Sequence, residues 1–331
     1  MIVDKDALIP NSLAVPARAN FVIKIKSKKE IAEACNFATQ EGLPLIPLGD
    51  GTNIVPNEQV EAVVAILDTK GLEFNTENNY LKVESGENWD RVVRFSVENN
   101  LSGIEALSAI PGKAGAAPIQ NIGAYGSEIA DCIERVEVYD QDKKEFLFLD
   151  KKDCQFEYRN SLFKKHPRKF IVTSITLKLS KESPKIPDYK DVKNYFNERK
   201  NDSPTLQEIR KAIIEIRKNK LPDPNLIPNA GSFFTNPILD LENFKNLKNK
   251  FPEIPNFPFE NKIKIPAGWL LEQAGFKGQK IGETEMYKNN ALVLTNPNKA
   301  GFQEIQSAEN FIRKEVFTKF GITLEREPRN I

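Results

Sequence analysis

Apolar and polar positions alternate from Phe21 to Lys26 (FVIKIK), which predicts a strand. From Ser27 or Lys28 the period changes. Ile31, Ala34, Cys35 and Ala38 recur at i, i+3, i+4 and i+7, one face of a helix. Leu43–Leu48 is a short apolar run broken by prolines, Ala62–Leu67 (AVVAIL) reads as a buried strand, and Tyr80–Val83 as another. Trp89, Val92, Val93 and Val97 then form a second helical stripe. Val136–Tyr139 and Phe146–Leu149 predict a hairpin around Asp140–Lys144, and Phe170–Leu179 a final strong strand. Helices and strands mixed in this order predict an α+β fold.

Between Gly103 and Gly126 the periodicity fades into a stretch rich in Gly, Ala and Pro, and a loop of that length inside a compact domain is often functional. From about Lys181 the texture changes again, with Pro184, Pro187 and several lysines marking a boundary. Thr205-Leu-Gln-Glu208 has the form of a capping box, followed by the stripe Leu206, Ile209, Ile213, Ile216, which Leu221-Pro-Asp-Pro224 ends. Ala267–Ala274 predicts a short helix, Ala291–Thr295 a strand, Phe302–Phe320 a long amphipathic helix and Ile322–Leu324 a last strand.

Composition narrows the chemistry. With 331 residues, two domains or three small ones are expected. Lys+Arg 47 against Asp+Glu 46 leaves a net charge of +1, so no general nucleic-acid or membrane surface is expected. No run of about 18 apolar residues occurs, and the first residues lack the pattern of a signal peptide. A cytoplasmic protein is the expectation. Cys35, Cys132 and Cys154 are widely spaced with no CxxC, which predicts reduced, buried or half-buried thiols. The single histidine, His166, sits in the basic turn-like stretch Phe-Lys-Lys-His-Pro-Arg-Lys and reads as an exposed loop residue. Histidine-based metal cages are excluded, no metal is expected, and chemistry must run on carboxylates, hydroxyls, Arg and Lys, or on a cofactor.

No GxGxxG or GxxxxGK[ST] occurs, which disfavours a Rossmann or P-loop site. Two glycine-rich stretches remain. In Leu48-Gly49-Asp50-Gly51-Thr52-Asn53 the glycines permit a tight turn whose amides can converge on a diphosphate, although an ordinary glycine turn has the same look. In Ile110–Gly126 the glycines at 112, 115, 123 and 126, with Ala114, Ala116, Ala117 and Ala124, form a small-residue surface. A large flat ligand can lie against such backbone, and a tightly packed loop crossing would look alike. Gln120, Asn121 and Tyr125 favour ligand contact.

Pro118-Ile-Gln-Asn-Ile-Gly-Ala-Tyr-Gly126 resembles the signature segment of the UDP-N-acetylenolpyruvoylglucosamine reductase (MurB) family. Four further segments resemble that family in the same order: Tyr158-Arg-Asn-Ser-Leu-Phe163, Lys220-Leu-Pro-Asp-Pro224, Asn229-Ala-Gly-Ser-Phe-Phe-Thr-Asn-Pro237 and Ala267-Gly-Trp-Leu-Leu271. The resemblance implies an FAD-binding domain of the vanillyl-alcohol-oxidase (PCMH) type, built of two α+β subdomains, and a C-terminal α/β substrate-binding domain. It divides the chain into 1–186 and 187–331, with the last strand returning to the FAD domain. It also implies that NADPH and FAD drive reduction of UDP-N-acetylglucosamine enolpyruvate to UDP-N-acetylmuramate for peptidoglycan synthesis. Small molecules are then the partners, and a monomer is expected.

The same resemblance assigns residues. Hydride addition to the β-carbon of an enol ether builds negative charge on the neighbouring carboxylate, so the site requires a cation there and an acid near the α-carbon. Arg159 suits the carboxylate, since its planar fork can hold both oxygens. Ser232 is the implied proton donor. Glu327 is the implied second stabiliser, with Glu325 the competing carboxylate two residues away. Gly49, Asp50, Gly51, Thr52, Asn53, Gly115, Ala116, Ala117, Ile119, Ile122, Gly123, Arg217 and Arg329 are implied for the cofactor. Tyr125, Tyr189, Lys220, Asn236, Lys264 and Asn290 are implied for the substrate. The chain departs from the family pattern at Asn11-Ser-Leu, at Ala116-Ala117 where some members have Ser-Ser, at Asn290 where Gln or His is usual, and at Pro328. A proline there removes an amide donor and predicts a short or edge-lying final strand. Two other readings stay open: another flavin oxidoreductase of the same architecture, acting on a sugar or hydroxy acid, and a non-catalytic nucleotide-sugar binder.

Overall fold

A computed structural model describes all residues, Met1–Ile331. Packing divides the chain into two compact units: Met1–Leu8, Ala19–Gly51 and Glu61–Lys218 form the first, and Ile9–Arg18, Thr52–Val60 and Asn219–Ile331 the second. The first unit thus runs past the boundary expected at 186/187. The helices Lys190–Glu198 and Leu206–Lys220 belong mainly to it. Arg210 holds the Asp90 carboxylate with both ends of its fork, at 2.7 and 2.8 Å, and Gln207 reaches the Val97 carbonyl. The loop 52–60, expected in the FAD domain, packs with the second unit instead.

The first unit holds two large sheets and a small hairpin, Gly123–Ala124 against Ser127–Glu128. One orders its strands Ile2–Leu8, Arg18–Ile25, Gln59–Leu67, Leu45–Leu48, the last two parallel. Helix Lys28–Gln40 buries Ile31, Ala34, Cys35 and Ala38, the face that the period selects, and Ser27 caps it. The other sheet orders Glu145–Asp150, Ile133–Asp140, Phe170–Lys178, Tyr80–Glu84, Leu72–Asn75, all antiparallel. The expected hairpin closes with Asp140 opposite Glu145. Helix Trp89–Glu98 buries Trp89, Val92, Val93 and Val97 against this sheet's core. The Thr205 box forms as expected: the Glu208 carboxylate accepts from Thr205 N at 2.7 Å, and Thr205 Oγ1 from Glu208 N at 3.2 Å.

In the second unit, strands Asn229–Ser232, Val293–Thr295, Thr284–Met286 and Lys280–Ile281 form one sheet. Helices Ala267–Gln273 and Phe302–Phe320 pack together, with Trp269 and Phe320 rings 5.9 Å apart. A second small sheet joins Ile238–Leu239, Lys262–Lys264 and Phe257–Phe259. The expected strand Ile322–Leu324 does not form, although Ile322 and Leu324 are buried; a two-residue strand Arg329–Asn330 follows Pro328 and pairs in parallel with Ile54–Val55. The final strand is therefore as short as the proline requires.

The three cysteines are free and buried, and burial pushes the thiols of Cys132 and Cys154 up to about 12 and that of Cys35 to about 11. His166 is exposed just beyond a short helix, as its context suggests. No group of His, Cys, Asp or Glu is arranged to hold a metal ion, and no helix is long and apolar enough to cross a membrane.

Candidate active site

In the first unit the expected cofactor residues Gly49 and Asp50 meet the 113–117 stretch. Asp50 lies 3.4 Å from the Lys113 ammonium, and a Cβ at Gly49 would come within 3.1 Å of Lys113 Cγ and 3.9 Å of Ala116 Cβ. Gly51 is left-handed (φ +66°), a conformation that lets consecutive amides face one way. No backbone carbonyl accepts from the amides of Asp50 or Gly51. Donors beside an ammonium fit a diphosphate, so this turn fits the FAD that the sequence implies.

The small residues of the 112–126 stretch answer first to internal packing. A Cβ at Gly115 would stand 2.4 Å from Ser85 Cβ, and the Gly115 amide donates to the Ser85 carbonyl. Ala117 lies in the core at 2 % exposure, while Ala116 is exposed. Ile119 and Ile122 pack partly buried against that core. Asn121 does not face outward for a ligand: it is 1 % exposed and its side chain bonds within the protein.

Arg159 lies in a tight turn. Glu157 and Asn160 exchange backbone hydrogen bonds of 3.0 and 3.1 Å across it, and Arg159 is left-handed at φ +52°. For an arginine that conformation costs on the order of 1–3 kcal/mol, and such strain clusters at functional sites. Its guanidinium donates to the Gly123 carbonyl at 2.7 Å, and a Cβ at Gly123 would press on the same group at 3.0 Å. Tyr125 is also left-handed (φ +53°). Its ring meets Tyr189 edge-on at 5.2 Å, and its hydroxyl is hydrogen-bonded with Arg217. Burial pushes the Tyr125 phenol up to about 12, against the pull of Arg217, so it stays a neutral donor at physiological pH. Burial also lowers the Arg217 guanidinium from its ordinary value, with Tyr125 acting against that.

The second unit gathers another part of the expected set. Ser232 pairs with Val293, and the Phe233 amide donates to Leu292 O at 2.8 Å. On the other side the Glu327 amide donates to Phe233 O at 2.9 Å and Phe234 bridges Arg326, so Glu327 lies on the segment beside Ser232. Of the two competing carboxylates, Glu327 is buried (8 % exposed) and Glu325 is exposed. Phe233 and Phe234, both fully buried, anchor this segment. Asn229 holds the start of the strand: its amide group donates to Ile227 O and its carbonyl accepts from Gly231 N. Ser12, in the segment that departs from the family pattern, donates to Asn229 O at 2.6 Å.

Asn290 sits at the same edge, its carbonyl oxygen accepting from Leu292 N. Lys220 ends its helix one residue after Asn219, whose carbonyl takes the Asn289 amide at 3.3 Å. Asn236 accepts from Ala267 N at the start of a helix, and Lys264 pairs with Ile238 two residues away. Arg329 donates its amide to Asn53 O, and burial lowers its guanidinium from the ordinary value. Thr52 and Asn53 fall in this unit, whereas Gly49–Gly51 fall in the first.

Residue-type reasoning passes over Lys113, which bridges Asp50 and Asp68 at 3.4 and 3.8 Å, and Glu128, which takes the Asn121 amide at 2.6 Å. Lys113 stands inside the Ile110–Gly126 stretch, but a lysine among glycines has no periodic signature. The Glu128 contact depends on a left-handed Asn121, which sequence does not announce.

Residues 19–145 match a family model described as an FAD binding domain, and residues 223–331 one described as the UDP-N-acetylenolpyruvoylglucosamine reductase C-terminal domain. A UDP-N-acetylenolpyruvoylglucosamine reductase of Polynucleobacter asymbioticus is 39 % identical over 322 residues, 96 % of this chain and 93 % of its own. One of Flavobacterium johnsoniae is 38 % identical over 323 residues, covering 96 % and 95 %. The crystal structure of UDP-N-acetylenolpyruvylglucosamine reductase (MurB) from Thermus caldophilus superposes with a TM-score of 0.71 over 100 % of this chain and 99 % of that one. Its identity of 21 % makes that a likeness of fold.

Proposed function

The chain belongs to the UDP-N-acetylenolpyruvoylglucosamine reductase family, and from that membership we infer both its reaction and the residues that carry it. The enzyme is a flavin oxidoreductase of peptidoglycan precursor synthesis. It reduces the enolpyruvyl group of UDP-N-acetylglucosamine enolpyruvate to give UDP-N-acetylmuramate, with NADPH as reductant. FAD, when bound, would supply the hydride chemistry, passing reducing equivalents from NADPH to the β-carbon of the substrate double bond.

The protein's own groups handle charge and protons. Arg159 holds the substrate carboxylate, where negative charge gathers as the double bond is reduced; its planar fork suits two oxygens. Glu327 is the second stabiliser of that charge, and Ser232 gives its proton to the α-carbon. Delivery to an enolate already formed asks little acidity of a hydroxyl. Lys220 and Lys264 attract the diphosphate, with Asn236, Asn290, Tyr125 and Tyr189 placing the rest of the substrate. Gly49–Asn53, Gly115, Ala116, Ala117, Ile119, Ile122, Gly123, Arg217 and Arg329 hold FAD. By function the chain divides at 186/187, and the enzyme works as a cytoplasmic monomer.

The observation that carries the assignment is the strained turn at Arg159, a left-handed arginine whose guanidinium is already aimed by Gly123. Its test separates the two halves of turnover. Purified enzyme with flavin should bleach with NADPH and regain its colour with UDP-N-acetylglucosamine enolpyruvate. Arg159→Ala should bleach normally and recover slowly. Normal recovery in that variant would remove Arg159 from its role. A protein without flavin colour would favour the non-catalytic binder.

A further inference from the structure

We infer that Asn121 is a positioning residue for the reduction: its buried side chain fixes the turn that aims Arg159. The inference rests on Arg159 holding the substrate carboxylate. The turn's own ladder consists of the two backbone hydrogen bonds between Glu157 and Asn160, with Tyr158 and Arg159 at its centre. Arg159 occupies a left-handed position (φ +52°) that glycine or asparagine fills more readily. Contacts from outside must therefore hold it.

The contacts that bear on it include the Lys165–Glu157 ion pair at 2.6 Å and three others. Lys164 Nζ donates to Arg159 O at 2.8 Å, but it lies five residues along the same segment. The Arg159 guanidinium donates to Gly123 O, but that is the group to be aimed. The Asn121 amide donates to Glu157 O at 3.1 Å, across 36 residues of chain, and so ties the turn's backbone to the 119–123 stretch. The same amide nitrogen donates to the Glu128 carboxylate at 2.6 Å, and Asn121 Oδ1 accepts from Ala130 N at 3.1 Å. Both amide hydrogens and the carbonyl are engaged, in a side chain 1 % exposed, so the group cannot turn without breaking three bonds. Asn121 is itself left-handed (φ +47°), which directs its side chain inward from a loop. Two residues on, Gly123 sets the guanidinium, so one short stretch determines both ends of Arg159.

Two variants test this. Asn121→Gly keeps the left-handed backbone and deletes the side chain. Asn121→Asp keeps the size and the acceptor for Ala130 N, but sets an oxygen against Glu157 O and the Glu128 carboxylate. In flavin-loaded enzyme, Asn121→Gly should slow recovery of colour with UDP-N-acetylglucosamine enolpyruvate by about 30-fold, the scale of a small misplacement of a positioning group. NADPH bleaching should stay within about twofold, and Asn121→Asp should repeat the pattern should the glycine variant not fold. Trypsin cleavage after Arg159, followed by mass spectrometry, should quicken in either variant. Added to Arg159→Ala, Asn121→Gly should cost no more than about another twofold, because the two act as one unit.

Losses that multiply in the double variant, or bleaching that falls in step with recovery, would overturn the inference. Slow recovery in Arg159→Ala beside unchanged recovery in Asn121→Gly would overturn it alone. Normal recovery in Arg159→Ala would overturn the reading of Arg159 and the inference with it.

Discussion

Two turns, one in each unit, place a proposed site residue in or next to a left-handed backbone, and they distribute the strain differently. In the second unit Gly231 takes the left-handed conformation (φ +74°) and Ser232, one residue later, lies in the strand Asn229–Ser232. In the first unit Arg159 is itself left-handed, as are Asn121 and Tyr125. Glycine adopts that conformation at no steric cost, whereas an arginine there must be held by its surroundings. Ser232 thus sits opposite its strand partner and just ahead of two buried phenylalanines, where the pairing resumes after a register shift and the left-handed step is taken by glycine. Arg159 sits on a turn kept in place by side-chain hydrogen bonds. The difference predicts that the proposed proton donor tolerates changes around it better than the proposed carboxylate holder does.

The largest effect expected is on Ser232 itself. Ser232→Ala should leave NADPH bleaching intact and reduce product formation by roughly 10²–10⁴, the range for loss of a positioned acid. Its folding stability should stay within about 0.5 kcal/mol of the parent, because the hydroxyl is half-buried and the backbone is unstrained. A large fall in melting temperature would contradict the unstrained placement of Ser232.

Arg159→Gly should separate stability from activity in the opposite sense. Removing the side chain should cost about 10²–10³ in recovery of flavin colour, as for other preorganised charge-stabilising groups. Glycine should also relieve the left-handed strain, by about 1 kcal/mol after its own entropic disadvantage in the unfolded chain. The variant should melt higher and turn over slower. A lower melting temperature would mean that Arg159's contacts outweigh its strain.

Gly231→Ala is the converse change. A Cβ there meets no atom within 4 Å, so only the backbone conformation resists it, at about 1 kcal/mol. Chemical denaturation should show that loss without a change in slope. A loss of several kcal/mol would require a steric clash that the geometry does not contain.

The sequence period located what burial controls and missed what it does not. Helix Lys28–Gln40 and helix Trp89–Glu98 bury the residues that their stripes name, because one apolar face per 3.6 residues has a single way to be covered. Helix Lys190–Glu198 escaped because only Val192 and Phe196 are buried along it. Strand Ile2–Leu8 escaped because nearly every residue in it is exposed, so no alternation marks it. The tail misled for a related reason. Ile322 and Leu324 alternate with exposed neighbours and read as a strand, but the alternation then slips, so that Glu325 is exposed and Glu327 buried. Choosing Glu327 from periodicity alone was therefore impossible. Arg159 stands out in the sequence only through motif resemblance, and its left-handed turn has no local signal, since nothing in Tyr-Arg-Asn-Ser requires it.

The smallest expected effect concerns acid. Asp68 is opposed by burial, which raises its pKa, but hydrogen bonds from Lys70 and Lys24 outweigh that and bring it down to about 2. Asp90 is lowered likewise, burial being outweighed by Arg210 and the Ala109 amide, and Glu137 by Lys28, Thr173 and Ser174. All three carboxyls lie in the first unit. A carboxyl whose folded pKa is depressed stabilises the fold above its unfolded value, about 3.9 for Asp and 4.3 for Glu, and that contribution is lost as pH falls toward the folded value. For Asp68 the full shift would correspond to roughly 2.5 kcal/mol; its lysine partners are about half exposed (54 % and 47 %), and screening reduces this to about 1 kcal/mol. Asp68→Asn should therefore melt lower than the parent at pH 7, with the gap closing as pH falls from about 4 to 2. Amide exchange should show the first unit losing protection before the second over the same interval. A gap that stayed constant down to pH 2 would assign the loss to packing and not to the Asp68 charge, and the contrast between the units would then rest on backbone strain alone.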